Sequence, residues 1–159
     1  MPHPSIALLL KVYDQAFTAP SWHGTPLWGS LRGVTAREAL RRPGRNRHNI
    51  WELAVHAAYW KYVVRRRLTG DETLAFPREG SNWFPAPRRA DAKTWTADLA
   101  LLREQHRLLR LVIARFPAKE LKRRGWRSKW TNEEHIYGIA SHDLYHAGQI
   151  QLVKRIIGK

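Results

Sequence analysis

Apolar residues recur at helical spacing in four long segments of this chain. Ile6, Leu9, Leu10, Tyr13 and Phe17 fall at i, i+3, i+4, i+7 and i+11, which makes one stripe on a helix over residues 5–17 with Ser5 as its cap. Residues 18–34 hold Pro20, Gly24, Pro26, Gly29 and Gly33, so they read as a loop whose Trp22 and Trp28 cover a bundle end. Thr35-Ala36-Arg37-Glu38 is a capping box and opens a short helix that stops at Pro43. A second box, Asn49-Ile50-Trp51-Glu52, opens a helix to about residue 68, with Gly70 placed to end it. Its stripe is Leu53, His56, Trp60 and Val63. Residues 71–93 show no periodicity. Thr94 is the expected cap of a third long helix over 95–116, with Leu99, Leu102, His106, Leu109 and Ile113 on one face and Pro117 as its stop. After a basic connector, the box Thr131-Asn132-Glu133-Glu134 opens a fourth helix to about residue 157. Its inward stripe is Ile139, His142, His146, Gln149 or Ile150, Val153 and Ile157.

Nothing alternates with the period of a strand. The pattern predicts an all-α fold, a four-helix bundle with long loops at the bundle ends, as a single domain over residues 1–159. Gly138 and Gly148 lie inside the fourth helix, where glycine costs about 0.5–1 kcal/mol relative to alanine. The expected reason is close approach of a neighbouring helix, including one across a homodimer interface.

Composition narrows the function classes. No apolar run approaches the roughly 20 residues that cross a bilayer. Met1-Pro2-His3-Pro4 lacks the features of a secretion signal, so the expectation is a soluble cytoplasmic protein with no membrane partner. There is no cysteine, which leaves His, Asp and Glu as the metal donors available. Lys and Arg total 28 against 13 Asp and Glu, a net charge of +15. Such a charge attracts polyanions, and nucleic acid is the partner to consider. Yet the basic residues are scattered and no helix-turn-helix, zinc-finger or RNP-type signature accompanies them, so a solvated basic surface is the favoured reading.

The histidines carry the chemistry. His142 and His146 stand one above the other on one helical face, and that face is the core stripe. His56 occupies the same kind of position on the second helix. Three inward imidazoles from two helices suit a divalent metal with at least one open position for water or substrate. A buried imidazole needs partners on both nitrogens, and a metal supplies one of them. The competing reading is three separate core histidines, each satisfied by a local hydrogen bond. His106 is read as an ordinary partly buried histidine or a fourth polar wall residue, His135 as exposed near the bundle mouth, and His48 as a surface residue. Glu52, one turn before His56, is read mainly as a helix cap and secondarily as support for the site. Asp143 and Tyr145 point about 100° away from His142.

With these residues in hand, the chain resembles the DinB-like family, damage-inducible YfiT-type metal-binding four-helix bundles. The resemblance lies in Trp51-Glu52-Leu53-Ala54-Val55-His56, in Trp130-Thr131, and in His142-Asp143-Leu144-Tyr145-His146-Ala147-Gly148-Gln149-Ile150. It implies a divalent metal, nickel or zinc, on His56, His142 and His146. It also implies a small-molecule substrate, and activity as a thiol S-transferase using bacillithiol or mycothiol, a thiol-dependent isomerase, or a hydrolase. The nucleophile would be a water or thiolate activated by the metal. The alternative is a non-enzymatic basic module for nucleic-acid binding or stress response.

Overall fold

Four long helices form where the apolar stripes predict them. The computed structural model describes residues 3–159; Met1 and Pro2, the start of the segment read above for a signal, lie outside the described residues. The order is α1 (Pro4–Phe17), α2 (Leu27–Ser30), α3 (Ala36–Leu40), α4 (Ile50–Thr69), α5 (Ala92–Ala114) and α6 (Asn132–Ile156), with a short 3-10 turn at Ala118–Glu120. Among the described residues there is no strand, only one isolated bridge between Arg124 and Thr131. No described helix is long and apolar enough to cross a membrane. The all-α expectation holds.

Side-chain contacts give the directions. Trp51 and Trp95, near the starts of α4 and α5, pack at 4.9 Å between ring centroids. At their other ends, residues Arg67 to Gly70 and Leu111 to Pro117 wall one cavity. The two helices therefore run parallel, and residues 70–91 must cross the length of the bundle between them. Asp143 of α6 meets Lys61 of α4, and Arg41 near the start of α4 reaches the Ile157 carbonyl past the end of α6, so α6 runs antiparallel to α4. Ile6 of α1 shares an apolar cluster with Leu109, Ile113 and Ile136, which sets α1 alongside α6 and against α5.

The core has two apolar parts and a polar layer between them. One cluster, at the end where α4 and α5 begin, contains Leu27, Ile50, Trp51, Trp95, Leu102 and Ile150. The other contains Ile6, Val64, Leu109, Ile113 and Ile136. Between them Lys61 and Asp143 form an ion pair in which both side chains are 0% exposed. Lys61 Nζ also sits 4.9 Å from the Tyr13 ring and 5.0 Å from the Phe17 ring, where π faces attract a cation. Burial pulls the Lys61 pKa down and the Asp143 pKa up, and each charge opposes that for the other.

Several local expectations are corrected. Helix α1 begins at Pro4, and the His3 imidazole, not Ser5, caps it by accepting from Ser5 N. Helix α5 begins three residues early because Asp91, not Thr94, is the cap; its carboxylate accepts from Thr94 N and Thr94 Oγ1. Within the supposed loop 18–34, Leu27–Ser30 winds one helical turn that buries Leu27 completely. Trp28 packs on Phe17, but Trp22 is 100% exposed in a turn closed by Ser21 Oγ to the Gly24 carbonyl, and covers nothing. A Cβ placed on Gly138 or Gly148 would meet nothing within 4 Å, so neither glycine marks a close helix contact within this chain.

Replacing Lys61 by Met should strand a buried carboxylate and cost about 3–5 kcal/mol. Lys61→Met/Asp143→Leu should recover most of that loss. Urea unfolding at pH 7 distinguishes the two; equal destabilisation by the single and the double variant would contradict the account.

Candidate metal centre

Helix α4 starts with the Asn49 box, whose side chain accepts from Glu52 N, and this sets the phase that turns His56 inward. The Thr131 box does the same for α6. With α4 and α6 antiparallel, His56, His142 and His146 meet just beyond the Lys61–Asp143 pair. The His142 Nε2 atom lies 3.2 Å from His56 Nε2 and 3.0 Å from His146 Nε2. One nitrogen from each ring falls within 4.8 Å of the other two. Ligands at about 2.0–2.1 Å from a common ion stand roughly 3.0–3.4 Å apart, so the spacing fits one ion.

The outer nitrogens decide what the inner ones can do. His56 Nδ1 donates to the Asn82 carbonyl at 2.8 Å, and His146 Nδ1 donates to Gln149 Oε1 at 2.6 Å. Those protons leave lone pairs on both Nε2 atoms, aimed at each other and at His142. His142 Nδ1 is buried without a partner. If His142 carries its proton on Nε2, it satisfies one neighbouring lone pair and leaves the other, and its own Nδ1, unmet. If it carries the proton on Nδ1, three lone pairs converge and a buried N–H has no acceptor. Neither tautomer satisfies the group; a cation accepts all three lone pairs at once and leaves only the His142 Nδ1–H without a partner.

Protonation does not compete near neutrality. Burial lowers the pKa of His56 to about 4; burial first, and then the neighbouring rings, lower that of His142 to about 3. His146 is also lowered, by burial first. All three are neutral at pH 7, as ligation requires.

The long 70–91 crossover, silent in sequence, completes the surroundings. Asn82 adopts φ 62°, a left-handed conformation that asparagine tolerates, and this aims its carbonyl at His56. Its side chain accepts from Trp60 Nε1 at 2.9 Å. Trp83 stacks on His56 with centroids 3.8 Å apart, and His48 stacks on the other face of Trp83 at 3.6 Å. Asn82 and Trp83 carry no periodic signal; the turn-forming Gly80-Ser81-Asn82 ahead of a tryptophan was the one available hint.

The sequence model of the DinB superfamily matches residues 22–150. The chain belongs to the DinB superfamily. No curated protein and no solved structure matches it. The matched span takes in all three clustered histidines and leaves α1 outside.

The remaining candidates of this DinB bundle are sorted by geometry. Glu52 is a cap: its carboxylate receives Arg42, His48 and Asn49 N. Burial raises its pKa, but the hydrogen bonds from Arg42 and His48 outweigh that, and it stays ionised. Its connection to the cluster runs through the His48–Trp83–His56 stack. His48 is an exposed surface residue, as expected, and it stacks on Trp83 from the solvent side. His135 is half-buried, with Nε2 bonded to Ser128 Oγ at 2.8 Å. Tyr145 is exposed, while Asp143, expected to point away from the site, points into the core. His106 does not join the cluster. It stacks on Tyr13 at 4.4 Å and on Phe17 at 3.8 Å, with Nδ1 buried and unpartnered.

Burial, with Lys61 next, holds the His106 pKa at about 2. The sign follows: the unfolded chain binds the extra proton below about pH 6.5, so this residue subtracts stability as the pH falls. At pH 5 the loss relative to pH 8 is about 2 kcal/mol. His106→Phe keeps the stacked ring and removes the titration. It should match or exceed the wild type at pH 8 and lose about 2 kcal/mol less on going to pH 5, by denaturant unfolding at both values.

Proposed function

We propose that His56, His142 and His146 hold one divalent metal, zinc or nickel, and that the protein is a metal-dependent enzyme transferring a group to a low-molecular-weight thiol or hydrolysing its substrate. The observation that carries this is the convergence of Nε2 atoms whose Nδ1 partners, Asn82 and Gln149, leave lone pairs facing inward. Imidazole donors without thiolate suit zinc and nickel alike. Bound there, a divalent metal supplies Lewis acidity and lowers the pKa of a water or thiol at its open position.

The chain's own groups divide the remaining work. The Asn82 carbonyl and Gln149 orient two rings and raise their basicity. Trp83 covers His56 and keeps water from that side. His142 is the half-buried member, and it lines a cleft of about 490 Å³ between α4 and α6, within the size range of small-molecule sites. A larger concavity of about 750 Å³ lies at the ends of α4 and α5, away from the histidines. Its arginines face the carbonyl ends of two helices, where positive charge is favourable in any case.

Untagged protein from cells grown with zinc and nickel should carry roughly one metal per chain, and His142→Ala/His146→Ala should carry almost none. Gln149→Leu should keep the stoichiometry while weakening affinity about 10–100-fold in a competitive chelator titration. Thiol consumption with an electrophilic aryl halide, and ester hydrolysis without thiol, should both be assayed; at least one should track metal content. Wild-type protein that takes up no metal sinks the proposal.

A further inference from the structure

Gly138 has no reason of its own to be glycine. It sits inside α6, one turn before His142, and is not among the residues with positive φ. A Cβ there would meet nothing within 4 Å. Gly125 is the contrast: its Cβ would lie 2.8 Å from His135 Cδ2, so packing explains it. Alanine at position 138 would gain about 0.5–1 kcal/mol of helix propensity at no steric cost within the chain. What the glycine preserves is therefore empty space, in the cleft that His142 lines.

That cleft has a defined chemistry. Its walls include Trp60, Val63, Ile139, Tyr137 and Trp130. Trp130 is 52% and Tyr137 47% exposed, and the Lys129 ammonium lies 5.0 Å from the Trp130 ring centroid. Two turns along α6 from His142, roughly 10 Å by helical rise, the cleft reaches His135, bonded to Ser128, and Arg67. The Arg67 guanidinium is anchored by donating through Nη1 to the carbonyls of Trp126 and Arg127. No described carboxylate forms an ion pair with it. Glu134, the acid in the same cleft, turns its carboxylate to Thr131 N and Oγ1. A fixed, half-buried cation without an acid partner thus stands at one end of an apolar cleft whose other end is His142, and it borders the two neighbouring concavities as well.

We propose that this cleft binds a small organic acid with an aromatic or branched apolar body, its anionic group at Arg67 and its reacting end at His142. The assignment of the reacting end rests on the metal reading above; the cleft's preference for an apolar acid does not.

The probes are 4-phenylbutyrate and its neutral amide, titrated calorimetrically into zinc-treated and metal-stripped protein, with zinc content measured in parallel. The acid should bind roughly tenfold more tightly than the amide, as a charge-assisted contact to arginine implies. Arg67→Gln should abolish that preference while still binding the amide, and Arg67→Lys should keep part of it. Gly138→Leu should lose both probes, and Gly138→Ala should weaken them while raising the melting temperature. Zinc content should not change in any of these variants. Equal affinity for acid and amide in the wild type overturns the proposal without needing a variant, and so does wild-type affinity in Gly138→Leu. Acid selectivity in a wild type that takes up no zinc would instead remove the metal reading and leave the cleft assignment standing.

Discussion

The pairing of Lys61 with Asp143 fixes how α4 lies against α6, and the histidine cluster inherits its geometry from that contact. Lys61 is five residues beyond His56 and Asp143 follows His142 directly, so the pair sits beside the imidazoles along the two antiparallel helices. Two charges buried at 0% exposure are tolerated only in the register that brings them together. Sliding α6 along α4 would separate them, at a cost of several kcal/mol for each stranded ion. Rotating α6 by one residue would also swing His142 and His146 together about 100° away from His56. The ion pair adds little net stability by itself, but it makes the wrong registers expensive.

The second requirement is the crossover that parallel α4 and α5 impose. A chain returning along the bundle has to pass over its side, and residues 70–91 spend part of that path on the cluster. Asn82 contributes a carbonyl, Trp83 a stacked ring, and the left-handed backbone at Asn82 aims the carbonyl at His56. Helices bring the three histidines together; the loop chooses the tautomer of one of them. Gln149, one turn past His146 on the same helix, chooses the tautomer of another without any long-range contact.

The parts of this arrangement that sequence made legible are the periodic ones. The stripes placed His56, His106, His142 and His146 on inward faces, and glycines and capping boxes located most helix ends. His106 shows where periodicity stops: it shares the inward face but lies on α5, stacked between α1 and the polar layer, and only packing could separate it from the others. Lys61 escaped notice because a lysine in an amphipathic helix normally marks solvent, and its partner is 82 residues away. Asp143 was oriented correctly relative to His142, yet α6 touches α1, α2 and α4, so 100° away from one core face is another. The misplaced caps have a common cause. Both Ser5 and Thr94 are good capping residues, but each donates its own backbone N–H to an earlier side chain, His3 or Asp91, so the helix already starts there and takes it into the first turn.

Charge balance connects the cluster to the rest of the molecule. Three neutral imidazoles would give a divalent ion no compensating charge, and the polar layer beside them already holds Lys61. Each buried carboxylate is committed to a cation: Asp143 to Lys61, Glu52 to Arg42, and Asp98 to Arg78 while it also accepts from Trp51 Nε1. None is free to turn toward the histidines without stranding a partner. On the proposed reading, the counter-charge for the metal must therefore come from outside the chain, as a thiolate, a hydroxide or a substrate carboxylate. A net charge of +15 raises the local concentration of such anions, and on that reading the cleft beside His142, between α4 and α6, would be their way in. The basic surface and the anion-poor donor set are then two expressions of one electrostatic requirement.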